Sequence, residues 1–311
     1  MTSSEPAVFC VDWGTSSLRA YLASGAGTIL ERRFSGRGIL TIAKGDHEEA
    51  LASALQGWLA KYGPLPILMS GMVGARQGWV EAPYAQCPAG LREVAAAIVT
   101  IETRRLGPID LVPGVSAIDC DGSPDVMRGE ETQIFGALAA MDRGEGTFVL
   151  PGTHSKWARV EAGRILSFAT YMTGEVFAAL KDHTILGRLI EGASENRPGF
   201  AEGVRAASRL ERPGDILHAI FMTRTLGLFD RLRPGQLSDY LSGLLIGAEL
   251  LSGARETAGA IVIGSPELTV RYCAAGEILE LALEPAPEDC APLGQLALLA
   301  ERRERMISRS T

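Results

Sequence analysis

Cysteine and histidine are scarce in this chain. The five cysteines among 311 residues (Cys10, Cys87, Cys120, Cys273, Cys290) are scattered and form no C-x-x-C pair. The four histidines (His47, His154, His183, His218) do not cluster with them, so a zinc site is excluded and all five thiols are read as reduced, in a cytoplasmic protein. No apolar stretch reaches the ~20 residues that a membrane helix needs. The opening MTSSEPAVF has neither a basic start nor a long apolar core, so it does not read as a signal peptide. Basic charge is also short: 30 Lys and Arg against 37 Asp and Glu leave a net charge of −7, which excludes a broad nucleic-acid surface. There is no G-x-x-x-x-G-K-[ST] segment, which rules out a P-loop. No low-complexity segment occurs.

The chain is 46% hydrophobic and 22% charged, an ordinary globular balance, and its length suits roughly two domains of ~100–200 residues. The most informative stretch is Val8 to Leu22, VFCVDWGTSSLRAYL. An apolar run carries Asp12 out of a buried strand, Gly14 breaks the chain, and Thr15, Ser16 and Ser17 present hydroxyls and amides. Backbone N–H groups in such a turn form a concavity for an anion. A carboxylate like that of Asp12 can hold Mg²⁺, which favours one or two carboxylates plus phosphate oxygens.

Residues Phe148 to Val160, FVLPGTHSKWARV, repeat the pattern with Gly152, Thr153, Ser155 and Lys156. Each Gly-Thr turn leads to a further strand, Thr28 to Phe34 in one copy and Arg164 to Thr170 in the other. Two such hairpins facing one another could grip a polyphosphate from both sides. The arrangement resembles the actin, Hsp70 and sugar-kinase superfold. The expected fold class is therefore α/β, with two duplicated actin-like, ribonuclease H-like domains and an ATP cleft between them. The division expected is 1–143 and 144–311, with a hinge near Gly144–Gly146 and the terminal helix free to pack back across the cleft.

Between the hairpins, helical spacing predicts a helix over Asp46 to Lys61 and another over Leu91 to Arg104. Strands are expected at Pro66–Ser70 and Ile109–Val112. The glycine-rich run Gly71 to Gly78 follows the first of these strands, where α/β sheets commonly bind ligands. A helix from Ile134 to Met141 follows Glu130 and Glu131. Helices are also expected from Met172 to about Leu186, from Gly214 to Arg231, from Leu237 to Leu251 and from Leu293 to Ile307. Gly247 and Ala248 permit close packing, including against a flat ligand. The 195–214 stretch reads as a flexible surface segment. Ala260–Ile263 is a strand running into Gly264-Ser265.

Phosphoryl transfer needs a phosphate cradle, a metal anchor and a base for the acceptor hydroxyl. The hairpins supply the cradle and Asp12 the anchor, with Arg19 and Lys156 as candidate phosphate cations. An ordinary glutamate is ionised at neutral pH and qualifies as a base. Glu130 is the first choice, with Glu131, Asp125 and Glu175 as rivals. His154 could touch phosphate or substrate. Gly264 and Ser265 could meet the nucleoside, and Trp79 or Tyr84 could stack on a sugar.

The blocks VDWGTSSLRAYL, GMVGARQGWVEAPY, VMRGEETQIFGA, LPGTHSKWARV, YMTGE and LSGLLIGAEL, in this order from about Val8 to residue 300, resemble the 2-dehydro-3-deoxygalactonokinase family. The resemblance implies ATP- and Mg²⁺-dependent phosphorylation of a sugar acid at its 6-hydroxyl. It implies phosphate contacts from Asp12, Gly14, Thr15 and Ser16, and from Gly152, Thr153, Ser155 and Lys156. The base falls on Gly129-Glu130, with Glu131 open. Substrate recognition falls on Gly71, Met72, Val73, Gly74, Trp79, Glu81 and Tyr84. Arg76 is placed to meet the carboxylate, with Arg37 and Arg128 as alternatives. The sequence leaves open a kinase for a different sugar acid, a non-catalytic ATP-gated module, a polyphosphate-type phosphatase and a homodimer.

Overall fold

The computed structural model describes residues 5–190, 197–255 and 257–310. The chain forms two compact units: Met1–Gly146, Arg159–Phe168 and Pro287–Thr311 in one, Thr147–Ala158 and Ala169–Ala286 in the other. Among the described residues, no helix is long and apolar enough to cross a membrane.

The first unit runs β1 (Pro6–Trp13), β2 (Leu18–Ser24), β3 (Ile29–Ser35), α1 (His47–Tyr62), β4 (Ile67–Ser70), β5 (Tyr84–Gln86), α2 (Leu91–Ala96), β6 (Val99–Ile101), β7 (Ile109–Leu111), β8 (Gly114–Ile118), β9 (Pro124–Met127) and α3 (Glu130–Met141). Its main sheet has the order β3-β2-β1-β4-β7-β6. β1 is antiparallel to β2 and parallel to β4, and β4 is parallel to β7. Both faces of β1 are covered, which is why its sequence is a continuous apolar run. Phe9, Val11 and Trp13 point to one face and pack with Leu51, Leu55 and Trp58 of α1. Phe9 stacks on Trp58 with ring centroids 5.8 Å apart.

The second half of the chain follows the same plan, with its segment Arg159–Phe168 grouped in the first unit. β10 (Gly146–Leu150), β11 (Ser155–Glu161) and β12 (Arg164–Tyr171) lead to α4 (Thr173–His183), α5 (Arg197–Ala207), α6 (Asp215–Leu228) and α7 (Pro234–Gly253). Then come β13 (Gly259–Val262), α8 (Pro266–Leu279) and β14 (Ala282–Pro285). The sheet order is β12-β11-β10-β13-β14, with β10, β13 and β14 parallel. The first five strands of the two sheets therefore share one order, which is the duplicated α/β architecture expected from the two hairpins. The chain ends in α9 (Cys290–Ser310), which belongs to the first unit. It crosses α3 through two glycines: a Cβ on Gly136 would lie 1.7 Å from the Cys290 carbonyl oxygen, and one on Gly294 would lie 1.8 Å from that of Thr132.

Four sequence expectations are corrected. The helix expected over Leu91–Arg104 stops at Ala96, because the β-branched run Val99–Ile101 pairs antiparallel with β7. A small sheet, β5-β8-β9, is formed by Tyr84–Gln86, Gly114–Ile118 and Pro124–Met127, where no strands were expected. The 195–214 segment, whose residues 195 and 196 lie outside the described ones, holds the packed helix α5. Gly247 meets that helix and not a flat ligand. Cβ atoms on Gly203, Gly243 and Gly247 would lie 2.0 Å from the Tyr240 carbonyl oxygen, 2.1 Å from that of Phe200 and 2.8 Å from the Ala207 Cβ. Glycines spaced by four on both helices let the backbones touch. The signal is present in the sequence as Gly199/Gly203 and Gly243/Gly247.

Gly203→Ala is therefore expected to destabilise the protein by about 1–3 kcal/mol, because the obstructing atom is backbone. Gly144→Ala, with open space around its Cβ position, should change stability by less than about 1 kcal/mol. Urea midpoints of the two variants check the contrast, and equal midpoints would contradict the packing described.

Candidate active site

Asp12 ends β1 and lies directly across the ladder from Arg19 on β2. Its carboxylate accepts a hydrogen bond from Arg19 Nη1 at 3.2 Å. The carboxylate is buried while the arginine is half exposed. Burial pushes the Asp12 carboxyl up from its ordinary range, and Arg19 opposes this without reversing it. Between them the chain makes a tight turn, closed by the Gly14 N–H donating to the Ser17 carbonyl at 2.9 Å. Thr15 and Ser16 are exposed at its tip. Gly38 backs the turn so closely that a Cβ there would lie 2.1 Å from the Thr15 carbonyl oxygen.

Two further segments reach the same end of the sheet. Gly71, just after β4, has φ of +93°, and a Cβ on it would lie 2.8 Å from the Trp13 carbonyl oxygen and 3.1 Å from Asp12 Oδ1. Gly129, with φ of +107°, precedes α3, and a Cβ on it would lie 3.1 Å from the Gly71 Cα. Gln295 of α9 donates from Nε2 to the Val11 carbonyl and the Ser70 hydroxyl, both at 2.8 Å, which ties α9 to the ends of β1 and β4. The sequence reading missed this glutamine, whose isolated polarity in an apolar helix was its only signal.

The turn before α3 sorts the candidate bases. Glu131 is fully buried, accepting from the Gly129 N–H at 2.7 Å and from the Thr132 hydroxyl at 2.9 Å. Burial, with the neighbouring Glu130 charge adding to it, pushes its carboxyl up from 4.5 to about 8. Glu130 is only half buried, and one of its oxygens accepts from the Arg128 N–H at 2.9 Å. Asp125 lies in β9, ahead of this turn.

The Gly71–Gly78 loop is folded tightly on itself: a Cβ on Gly78 would lie 2.4 Å from the Met72 and Val73 carbonyl oxygens. Val73 and Gly74 are buried, while Met72 and Trp79 pack against the core. Trp79 stacks on His47 at 5.9 Å. Arg37, Arg76, Glu81 and Tyr84 are exposed. Arg128 is buried beneath Tyr84, its guanidinium 4.3 Å from the ring centroid.

In the second unit, Gly152 and Thr153 form the tip of the second turn. α4 closes on it, since a Cβ on Gly174 would lie 2.3 Å from the Gly152 carbonyl oxygen. His154 Nε2 lies 2.5 Å from Glu175 Oε2, both side chains being half exposed. Ser155 is buried and donates its hydroxyl to Glu249 at 2.6 Å. Trp157 Nε1 and the Tyr272 hydroxyl donate to the same buried carboxylate at 3.0 and 2.6 Å. Lys156 is 5% exposed. Gly264 and Ser265 are exposed, and the Ser265 hydroxyl caps α8. A pocket of about 240 Å³ lies one turn further along, bordered by Gly152, Gly174, Phe177, Lys181, Asp239 and Arg271. Arg271 Nη1 donates to Asp239 at 3.1 Å and to the Ser242 hydroxyl at 3.3 Å. The sequence reading missed Glu249, Asp239 and Arg271, because they have partners on other elements far away in sequence.

Among the described residues, no group of three or more His, Cys, Asp or Glu could hold a metal by itself. A buried carboxylate at a strand end, as in Asp12, instead suits a cation that arrives with phosphate oxygens.

Comparison with known proteins gives a consistent picture. The family described as 2-keto-3-deoxy-galactonokinase matches residues 12–298. A relative from Rhizobium meliloti (strain 1021), assigned as a 2-dehydro-3-deoxygalactonokinase, is 38% identical over 93% of this chain and 95% of its own. The 2-dehydro-3-deoxygalactonokinase of Escherichia coli (strain K12) is 34% identical over 84% and 86%. A crystal structure of a protein from Sinorhizobium meliloti, assigned to the same activity, superimposes with a TM-score of 0.83 at 34% identity, covering 96% of this chain and 99% of that one. The activator of 2-hydroxyisocaproyl-CoA dehydratase from Clostridium difficile, solved with bound ADPNP, shares the fold at a TM-score of 0.51 and 10% identity, over 98% and 97% of the two chains.

The Glu131 carboxyl makes stability depend on pH. The folded chain holds a proton that the unfolded chain releases above 4.5, so the folded state binds more protons between 4.5 and about 8. Stability from this group is complete below that window and falls as pH rises through it. Glu131→Gln keeps the shape without the ionisable proton. Its unfolding midpoint should fall less than that of the parent protein between pH 5 and pH 8, while parallel pH profiles would contradict the buried-acid account.

Proposed function

The chain belongs to the 2-keto-3-deoxy-galactonokinase family, and from that premise we propose that it transfers the γ-phosphoryl group of ATP to the 6-hydroxyl of 2-dehydro-3-deoxy-D-galactonate, releasing ADP. The family match across both units carries this reading. The duplicated actin-like fold supports it, because each copy presents a Gly-Thr turn whose tip is exposed. Residues 1–143 and 144–311 are read as the two functional domains, with α9 completing the first.

In this reading both turns bind phosphate. Gly14, Thr15 and Ser16 offer amides and hydroxyls to phosphate oxygens, as do Gly152 and Thr153. Arg19 adds positive charge beside Asp12, and Lys156 adds it behind the second turn. Ser155 acts indirectly, because its hydroxyl is engaged by Glu249 and so fixes the strand that carries the turn. The pocket bordered by Asp239 and Arg271 suits the nucleoside better than Gly264-Ser265 alone. Asp12 would hold Mg²⁺, which, when bound, neutralises charge on the phosphates.

Glu130 is the base. It is partly open, and the Arg128 N–H orients it, whereas Glu131 is sealed and locks the turn. Glu130 takes the proton of the 6-hydroxyl as that oxygen attacks phosphorus. The Gly71–Gly78 loop and Tyr84 bind the sugar acid. The enzyme is cytoplasmic, in keeping with its five free cysteines.

ADP release from MgATP tests the reaction. It should depend strongly on the galactonate compound, less on its gluconate epimer, and not on a plain aldose. Dependence on another sugar acid would transfer the reading to that substrate, and release without any sugar would sink it. Glu130→Gln is expected to lower kcat by ~10²–10⁴-fold with little change in the KM for ATP. Asp12→Asn should lower kcat by orders of magnitude in a folded protein, and near-normal turnover would remove Asp12 as the metal anchor.

A further inference from the structure

A buried guanidinium needs partners for its donors, and Arg128 lacks them. The residue is 8% exposed. Nη2 donates to the Ala82 carbonyl at 2.8 Å, but Nε and Nη1 are buried without a hydrogen-bond partner among the described residues. The contrast with Arg271, which is paired with Asp239, shows how this fold treats an arginine whose charge it means to balance internally. An unpaired buried donor is costly, and a buried cation more so. Nη2 lies between the other two nitrogens, so an unpaired donor remains on each edge of the guanidinium. The edge not taken by Ala82 can receive both oxygens of a carboxylate.

The surroundings place this charge beside the substrate segments. Nη1 lies 3.2 Å from the position of a Cβ on Gly74, inside the Gly71–Gly78 loop. The Arg128 N–H orients Glu130, two residues further on. The side chain is fixed by the Tyr84 ring against one of its faces. That ring needs Gly114 beneath it, where a Cβ would lie 2.6 Å from Tyr84 Cε1. Arg76 and Arg37 are exposed, and water already satisfies and screens them.

We propose that Arg128 recognises the carboxylate of the sugar acid and so determines that the enzyme takes an acid and not a neutral sugar. This rests on the kinase reading given above. The substrate carboxylate replaces the missing partner, and the rigid support by Tyr84 and Ala82 limits the ordering cost of binding. A lysine at this position would retain charge but lose the planar pair of donors.

The test uses the whole enzyme with two acceptors: the 2-keto-3-deoxy sugar acid and the matching 3-deoxyhexulose, in which CH₂OH replaces the carboxylate. The parent enzyme should strongly prefer the acid. Arg128→Lys should lower kcat/KM for the acid by roughly 100-fold, leave the KM for ATP unchanged, and leave kcat/KM for the neutral sugar within about threefold. Gly74→Ala crowds Nη1 without removing it and should shift the same preference in the same direction; it serves if the lysine variant does not fold. Equal losses for both acceptors would reduce Arg128 to a structural role and overturn the proposal. So would loss of the acid preference in Arg76→Gln with its retention in Arg128→Lys. If the parent enzyme turns over no sugar acid, the kinase reading itself fails, which is a separate result.

Discussion

The close approach of three backbone segments beside Asp12 is the constraint on which the first unit depends. Gly71 and Gly129 both have positive φ, and each sits where a single added carbon would strike backbone. Only residues without a side chain allow the end of β4 and the start of α3 to meet next to the end of β1. From that meeting follow the position of Glu130, the burial of Glu131 and the direction of the Gly71–Gly78 loop. The same lack of side chains lets α3 and α9 cross at Gly136 and Gly294, and α9 then anchors the strand ends through Gln295.

Buried charge is handled in three ways in this molecule. Asp12 and Asp239 are each held by an arginine. Glu249 of α7 accepts from a serine and a tryptophan on β11 and a tyrosine on α8, so one carboxylate joins β11, α7 and α8. Glu131 is neutralised by keeping its proton well above the ordinary carboxylate range. Each of these partners contributes to stability, since removal of one partner from a buried pair leaves an uncompensated group. Arg128 stands apart because its Nε and Nη1 are buried with no hydrogen-bond partner among the described residues, and the carboxylate proposal rests on that difference.

The duplication is visible in strand order and has diverged between the strands. In the first copy α1 bridges β3 and β4, while in the second four helices separate β12 from β13. The second copy thereby gains the α4 and α7 surfaces, which border its pocket together with α8. The first copy instead gains the small β5-β8-β9 sheet, which carries Tyr84 and leads to Arg128.

Local chemistry determined much of this protein. Continuous apolar runs specified β1, β4 and β10, the Gly-Thr turns specified both hairpins, and their repetition specified a duplicated fold. Those features depend on residues close in sequence, which is why they were legible. The short strand β6 and the small sheet were not, because strands of three to five residues acquire their identity from distant pairing partners. Helix α5 was mistaken for a flexible segment because its stability comes from glycine-mediated contact with α7. The candidate acids show the same division. Sequence places Glu130 and Glu131 side by side at one helix start, equally eligible. Only the tertiary structure separates them, leaving one half exposed and burying the other, because desolvation is a property of everything packed around a carboxyl group and not of the residue that bears it.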